Sequence, residues 1–327
     1  MMRFLGLIVI GFLILGCQGE IKNENSTVVE ENGTDVTPSD SITEEETAPI
    51  VDDKNESDPK YDHMLGFYVG DFEPDLGDEG YDKNFYLDDG YMWNRNNKIN
   101  ISLNIINDSI VKGHSVVAGN NRPFVGTFKK TAENTYTVEA KEPGDDKYDG
   151  TFTFEVKKGK IDGEWTAFKK IDIRKRKYSL SKKPYKYDPS IQLKYAQRFA
   201  NWNKVKSEKV IVIDESDGEI VQWFEKEYAM TTDIIYEMNA SARFLTKKDI
   251  ENLKRADLQI IRNTIYARHG YSYKNRIYRI FFDAQDWYIP VHTDIKKELT
   301  DIEKKNIQLL LRYEKNADEY YDYFGRG

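Results

Sequence analysis

Phe124-Val125-Gly126-Thr127-Phe128, Tyr148-Asp149-Gly150-Thr151-Phe152 and Ile161-Asp162-Gly163-Glu164-Trp165 are three versions of one pattern, with Leu65-Gly66-Phe67 a looser relative. In each of the three, a glycine sits inside a β-prone run and an aromatic residue follows two positions on. Glycine lets a strand bend sharply, and a ring can cover the gap that it leaves. Around these repeats, seven short β-prone runs alternate with turn residues: Gly66-Phe72, Lys98-Ile105, Ser109-Ala118, Phe124-Lys129, Thr135-Ala140, Gly150-Lys157 and Lys160-Lys169. This spacing predicts an antiparallel meander over 61–182 that closes into a barrel or sandwich. With the helical pattern described below, the expected class is α+β: an N-terminal antiparallel β-barrel followed by a small, mainly α-helical C-terminal domain.

The chain begins with Met1-Met2-Arg3, and Phe4 to Leu15 is apolar for twelve residues. A bilayer span needs about 20, so the stretch reads as the h-region of a signal peptide (1–16). Ile14-Leu15-Gly16-Cys17 resembles the lipobox of bacterial lipoproteins, and Cys17 is the only thiol in the chain. A lone exported cysteine forms no internal disulfide, and lipidation gives it a use. The expected partner at this end is a membrane, through acyl chains on Cys17. Gln18, standing where an inner-membrane retention signal has Asp, points to the outer membrane of the cell envelope. Residues 18–60 hold thirteen acidic and three basic side chains with almost no aromatics, a composition that cannot offset its own ordering entropy. With Cys17 they read as a disordered tether (17–60) of on the order of 35 Å. The net charge of −8 belongs to this tether, and 61–327 is nearly neutral. That balance argues against nucleic acid as a partner. The basic runs Lys169-Lys170 and Arg174-Lys175-Arg176-Lys177 read as a solvated strand end, with an anionic partner as the alternative.

Residues 183–243 show no clean period and read as a connector, with Val210-Ile213 a strand, Asp214-Gly218 a turn and Ile234-Met238 extended. Thr246-Lys247-Lys248-Asp249 and Thr300-Asp301-Ile302-Glu303 have capping-box form and should open helices. Between them, Leu258, Ile261, Ile265 and Arg268 share one helical stripe that ends at Gly270, and Ile277, Ile280, Phe281 and Ala284 share another. The last helix presents Ile307, Leu310 and Leu311. These define a helical domain over 244–315, with 316–327 a tail.

Within it, Ile261-Arg262-Asn263-Thr264-Ile265-Tyr266-Ala267-Arg268-His269-Gly270-Tyr271 resembles the motif that names the YARHG domain. Its five letters stand at Tyr266, Ala267, Arg268, His269 and Gly270, and the flanks match at Leu245-Thr246, Phe281-Phe282, Trp287-Tyr288, and Glu303 with Asn306. Tyr273 departs mildly, standing where the family often has Phe. The resemblance covers about 70 residues. It implies an extracellular module of bacterial envelope proteins, found beside peptidase or kinase regions and without an assigned molecular activity. Independently of it, Arg268 lies on a buried stripe and needs a carboxylate or carbonyl partner. Glu303 and Asp286 are the candidates, and a polar network of Arg262, Asn263, Arg268, Glu303 and Asn306 is expected to clamp the helices.

No catalytic or metal constellation stands out. His63, His114, His269 and His292 are scattered without metal-ligand spacing, no nucleophile elbow or phosphate loop occurs, and no cofactor is expected. His269 with Tyr266 and Asp286 offers acid/base chemistry only if the fold brings them together. Phe85, Tyr86, Tyr91 and Trp93, set among Asp and Asn residues, suit a sugar-stacking loop, with core packing the commoner use; Tyr91 and Trp93 are the glycan-facing candidates. Three readings follow: a non-catalytic envelope module binding cell-wall glycan (peptidoglycan included) or a protein partner, a lipocalin-like carrier of an apolar ligand, and an envelope hydrolase or its accessory. A small barrel can hold a ligand or be filled by its own side chains, and the filled core is the expected one.

Overall fold

The computed structural model describes residues 56–75, 86–88, 91–92, 95–108, 110–195, 198–213 and 219–320. The N-terminal apolar stretch, Cys17, the tether up to residue 55, Phe85 and Trp93 lie outside the described residues, as do the side chains of Tyr86 and Tyr91.

After two turns of 3-10 helix, Pro59–Met64, the chain enters β1 (Gly66–Pro74). A small hairpin of β2 (Tyr86–Asp88) and β3 (Tyr91–Met92) follows. Then come β4 (Asn97–Ile106), β5 (Ile110–Val117), β6 (Asn120–Ala132), β7 (Thr135–Lys141), β8 (Gly150–Lys157), β9 (Lys160–Ala167) and β10 (Lys175–Lys182). β1 and β4 to β10 close a barrel in the order β1-β10-β9-β8-β7-β6-β5-β4, antiparallel throughout. The expected α+β class with an N-terminal antiparallel barrel holds. The strand that completes it is β10, whose basic start reads in the sequence as a solvated strand end. Its inward positions carry Tyr178 and Leu180, both buried, while Lys175, Lys177 and Ser179 point out. Because β10 pairs with β9 on one side and β1 on the other, it is the closing strand.

The barrel is filled. Tyr68, Phe72, Ile101, Phe124, Phe152, Phe154, Trp165 and Tyr178 belong to one buried cluster, with ring centroids such as Phe124 and Phe152 5.7 Å apart. Met64 of the 3-10 turn joins this cluster, and its carbonyl accepts from the Tyr68 hydroxyl at 2.8 Å, closing that end. The repeated glycines act as close-approach points. A Cβ on Gly163 would collide with the Thr153 carbonyl oxygen and with Phe154. The residue directly opposite Gly163 on β8 is Phe154, and the Trp165 ring two positions along lies instead against Gly150.

The segment 183–243, expected as an irregular connector, contains a long antiparallel hairpin, β11 (Ala200–Ile213) and β12 (Ile220–Met230). Ile234–Glu237, expected to be extended, is instead one helical turn, α1. The chain bends there because Asp257 accepts from the Thr232 amide at 2.6 Å and its hydroxyl at 3.1 Å, and Ile235 drops into the core.

The helices are α2 (Lys247–Ile250), α3 (Arg255–Arg268), α4 (Arg276–Asp283) and α5 (Asp301–Tyr320). Both capping boxes form: Asp249 accepts from the Thr246 amide at 2.6 Å, and Glu303 accepts from the Thr300 amide at 2.9 Å. The apparent break at Arg255-Ala256-Asp257 is the first turn of α3, where Asp257 accepts from the Lys254 amide. Every residue of α3 from Ala256 to Arg268 is buried. This helix is therefore the axis on which the others pack.

The outer face of β1 and β4 packs on the helical domain. Val69 and Phe67 meet Ile289, Val291 and Tyr185 in a small apolar patch. Beside it, the Lys98 amide donates to Asp283 at 2.9 Å, and the Lys98 ammonium donates to the Gln285 carbonyl at 2.7 Å. Gly119 N–H donates to the Ser272 hydroxyl at 2.9 Å. Burial pushes the Asp283 carboxyl up to about 7, against the pull of the Lys98 amide and the Arg279 charge. An unfolded Asp ionises near 3.8, so between that value and about 7 the unfolded chain releases a proton that the folded chain keeps. Stability from this group is therefore present at low pH and falls as pH rises through that window. Asp283→Asn should raise stability at pH 8 by on the order of 2 kcal/mol and leave it unchanged at pH 4, measured by urea unfolding at the two pH values.

Candidate functional site

The motif residues lie inside the helical domain. Tyr266, Ala267, Arg268 and His269 are each 5% exposed or less, and Gly270 adopts φ +65, where a Cβ would strike the Ile289 carbonyl oxygen. Gly270 thus caps α3 in the left-handed conformation while its own carbonyl accepts from the Val291 and His292 amides.

Arg268 donates from Nε to the Ile191 carbonyl at 2.8 Å and from a terminal nitrogen to the Ser241 hydroxyl at 3.1 Å. Its hydrogen bonds go neither to Glu303 nor to Asp286, contrary to the expectation, and Asp286 is exposed. Burial lowers the guanidinium to about 10, partly offset by the charge on nearby Glu303. Glu303 is committed to His269, whose Nε2 lies 2.8 Å from a carboxylate oxygen. The same carboxylate accepts from the Tyr187 hydroxyl at 3.0 Å, and the Tyr187 ring stacks on His269 at 4.1 Å. Burial raises the Glu303 carboxyl, but the bonds from His269 and its neighbours outweigh this and hold it below the usual range.

Arg262 makes a two-pronged pair with Glu314, at 2.6 and 3.0 Å, joining α3 to α5. Burial opposes the charge on Arg262, and Glu314 outweighs it. Asn306 spans a loop, accepting from the Leu245 amide and donating to the Ala240 and Arg243 carbonyls at 2.7 to 2.8 Å. Asn263 bonds back to the Gln259 carbonyl of its own helix. Tyr288 is buried and donates to the Tyr271 carbonyl at 2.7 Å, with Trp287 edge-on to its ring. The expected single network is therefore several separate clamps. The sequence reading missed Glu314 and Tyr187. The first had a signal, because Glu303, Asn306, Leu310 and Glu314 fall at i, i+3, i+7 and i+11 on one face of α5.

With the motif enclosed, an opening lies elsewhere among the described residues. A cavity of about 610 Å³ sits at one mouth of the barrel, walled by strand ends and by α4. Its apolar floor is Phe72, Phe152 and Trp165. Glu142 is buried there, accepting from the Ser115 hydroxyl at 3.2 Å, the Gly150 amide at 2.8 Å and the Trp165 indole at 3.0 Å. Burial pushes its carboxyl up despite these bonds. Around the floor stand Arg95, Arg122, Lys147, Lys170, Arg176, Arg276 and Arg279, against two carboxylates, Glu142 and Asp172. Arg122 is fixed by Asp146 and Asp149 at 3.1 and 3.0 Å. Arg176 lies over the Phe72 ring and donates to the Phe72 and Arg95 carbonyls. Lys170 and Arg176 come from the basic runs noted in the sequence, while Arg276 and Arg279 come from the helical domain. The arrangement can hold an anionic group against aromatic faces.

The buried Arg262 and Glu314 pair predicts an asymmetric response. Arg262→Met alone should cost about 3 to 5 kcal/mol, because it leaves Glu314 uncompensated, whereas Arg262→Met with Glu314→Leu should recover much of the loss. Urea unfolding of the two variants checks this.

The family model of the YARHG domain matches residues 232–315. No curated protein and no solved structure matches the chain. The match opens at Thr232, the residue that Asp257 holds at the start of α3, and takes in all of α1 to α4 and most of α5. Residues 232–315 of this chain are thus similar to the YARHG domain.

Proposed function

We propose that this chain is a non-catalytic binding protein of the bacterial cell envelope, anchored through lipid on Cys17 and taking a carboxylate-bearing cell-wall glycan at the barrel mouth. The observation that carries the reading is the cavity itself, lined by seven cationic side chains and by the rings of Phe72, Tyr148 and Trp165. Sugar faces stack on rings, and acidic substituents meet fixed guanidinium groups. Because α4 of the YARHG domain supplies part of the wall, the domain contributes to binding without exposing its motif.

The carrier reading is less well supported, since the barrel interior is occupied by its own side chains and the cavity is rimmed with charge. For the hydrolase reading, the buried His269 is taken up by Glu303 and the stacked Tyr187 ring, while Asp286 is exposed.

The full chain should co-sediment with purified cell-wall sacculi, more weakly as salt rises. Lys170→Glu with Arg276→Glu should weaken retention about tenfold or more, and retention unchanged by this double reversal would contradict the assignment of the cavity. Separately, Cys17→Ala should abolish labelling by palmitate and release the protein from the membrane fraction. Undiminished labelling would contradict the anchor.

A further inference from the structure

The inner end of the barrel-mouth cavity carries a second kind of chemistry, distinct from the cationic rim. Alternate residues of a strand share a face, and Ile99 and Ile101 of β4 belong to the buried barrel cluster. Asn97, two positions before Ile99, is therefore turned inward with them. It pairs with Phe72 of β1, and both residues line the cavity. Asn97 is only 7% exposed. Its Nδ2 lies 3.5 Å from the Arg95 carbonyl oxygen, an acceptor, which sets the orientation of the amide. Its Oδ1 is enclosed and has no hydrogen-bond partner among the described residues. A buried acceptor without a donor is costly, and in a cavity wall it gains its partner when a ligand brings one.

Neighbouring donors are committed elsewhere. The Ser115 hydroxyl, the Gly150 amide and the Trp165 indole N–H all donate to Glu142, and Arg176 donates to the Phe72 and Arg95 carbonyls. Around this end stand Phe72 and Phe152, with ring centroids 6.5 Å apart. The inner end thus calls for a neutral group that pairs one donor with an apolar surface. An ammonium would bring donors but would enter past the cationic rim, and a hydroxyl would bring no apolar surface to the rings. An acetamido group brings both, an N–H for Asn97 and a methyl for the phenylalanines.

We infer that Asn97 is the specificity-determining residue of the cavity, its Oδ1 accepting the N–H of an N-acetyl group on the sugar whose carboxylate meets the rim. This rests on the glycan reading above and narrows it to N-acetylated sugar acids. A site built to hydrogen-bond an N–H rejects an analogue that lacks it, because the buried partner is then left unmet.

The test uses the full chain retained on sacculi and two soluble competitors: N-acetylmuramic acid, and its analogue in which an ester oxygen replaces the amide nitrogen. The two carry the same charge and nearly the same shape. N-acetylmuramic acid should displace the chain at a concentration about tenfold or more below that of the ester. Asn97→Leu should bring the two competitors to within about twofold of each other, with the near-ultraviolet signal of the barrel aromatics unchanged, a result that a merely structural Asn97 would not give. The comparison on the unmutated chain holds whether or not the variant folds. Equal displacement by amide and ester would overturn the inference and leave the cavity reading standing, as would a preference that Asn97→Leu preserves. A chain that sacculi retain and N-acetylmuramic acid does not displace would overturn it too. Failure of sacculi to retain the chain would overturn both this inference and the reading beneath it.

Discussion

Burial of ionised groups along α3 is the constraint from which the C-terminal half of the molecule follows. Arg262 and Arg268 sit on a helix buried on all sides, and a guanidinium in that position needs partners of fixed geometry. Arg262 is answered by Glu314 on α5, and Arg268 by the Ile191 carbonyl and Ser241, both outside the helix bundle's regular elements. His269, at the helix end, is held by Glu303 and Tyr187. Each clamp ties α3 to a different neighbour. The position of α5, of the loop at 240–245 and of the segment at 185–191 is thus set by polar contacts as much as by the apolar cluster around Ile261, Phe281 and Leu310.

A motif committed in this way is enclosed, and the packing around it creates a surface of its own. Tyr185 donates to the Arg268 carbonyl and packs with Phe67, Ile289 and Val291, so the motif's helix is linked to the outer wall of the barrel. The same docking lays α4 beside the barrel mouth, where Arg276 and Arg279 join Lys170 and Arg176 in lining the cavity. α4 and the barrel line one cavity because the clamps hold α4 where it can reach.

What the sequence reveals follows from where periodicity exists. Strands with one buried face, such as β8 with Phe152, Phe154 and Val156 inward, alternate plainly. β10 obeys the same rule, but with lysines outward and Arg176 at the mouth it reads as a basic run. Beyond its root, where Ala200 and Ala229 are buried and Trp202 packs on the helical core, the hairpin of β11 and β12 has no core face, so its strands show no alternation that could mark their length. Capping boxes at Thr246 and Thr300 were legible because they are local. The Ile191 carbonyl and Tyr187 were not, since they belong to an irregular segment about 80 residues from their partners in α3. The cavity is less legible still. Arg122, Glu142, Trp165, Arg176 and Arg276 come from five separate elements and connections, and only barrel closure and the docking of α4 bring them together.

The motif is enclosed, whereas the cavity at the barrel mouth is open. The most direct measurement is a nuclear magnetic resonance titration with soluble cell-wall fragments, following the Trp165 indole N–H, the arginine Nε–H groups and the His269 imidazole. Shifts at Trp165, Arg122 and Arg276 with His269 unmoved are the predicted result. Shifts centred on His269 with the barrel mouth silent would contradict it.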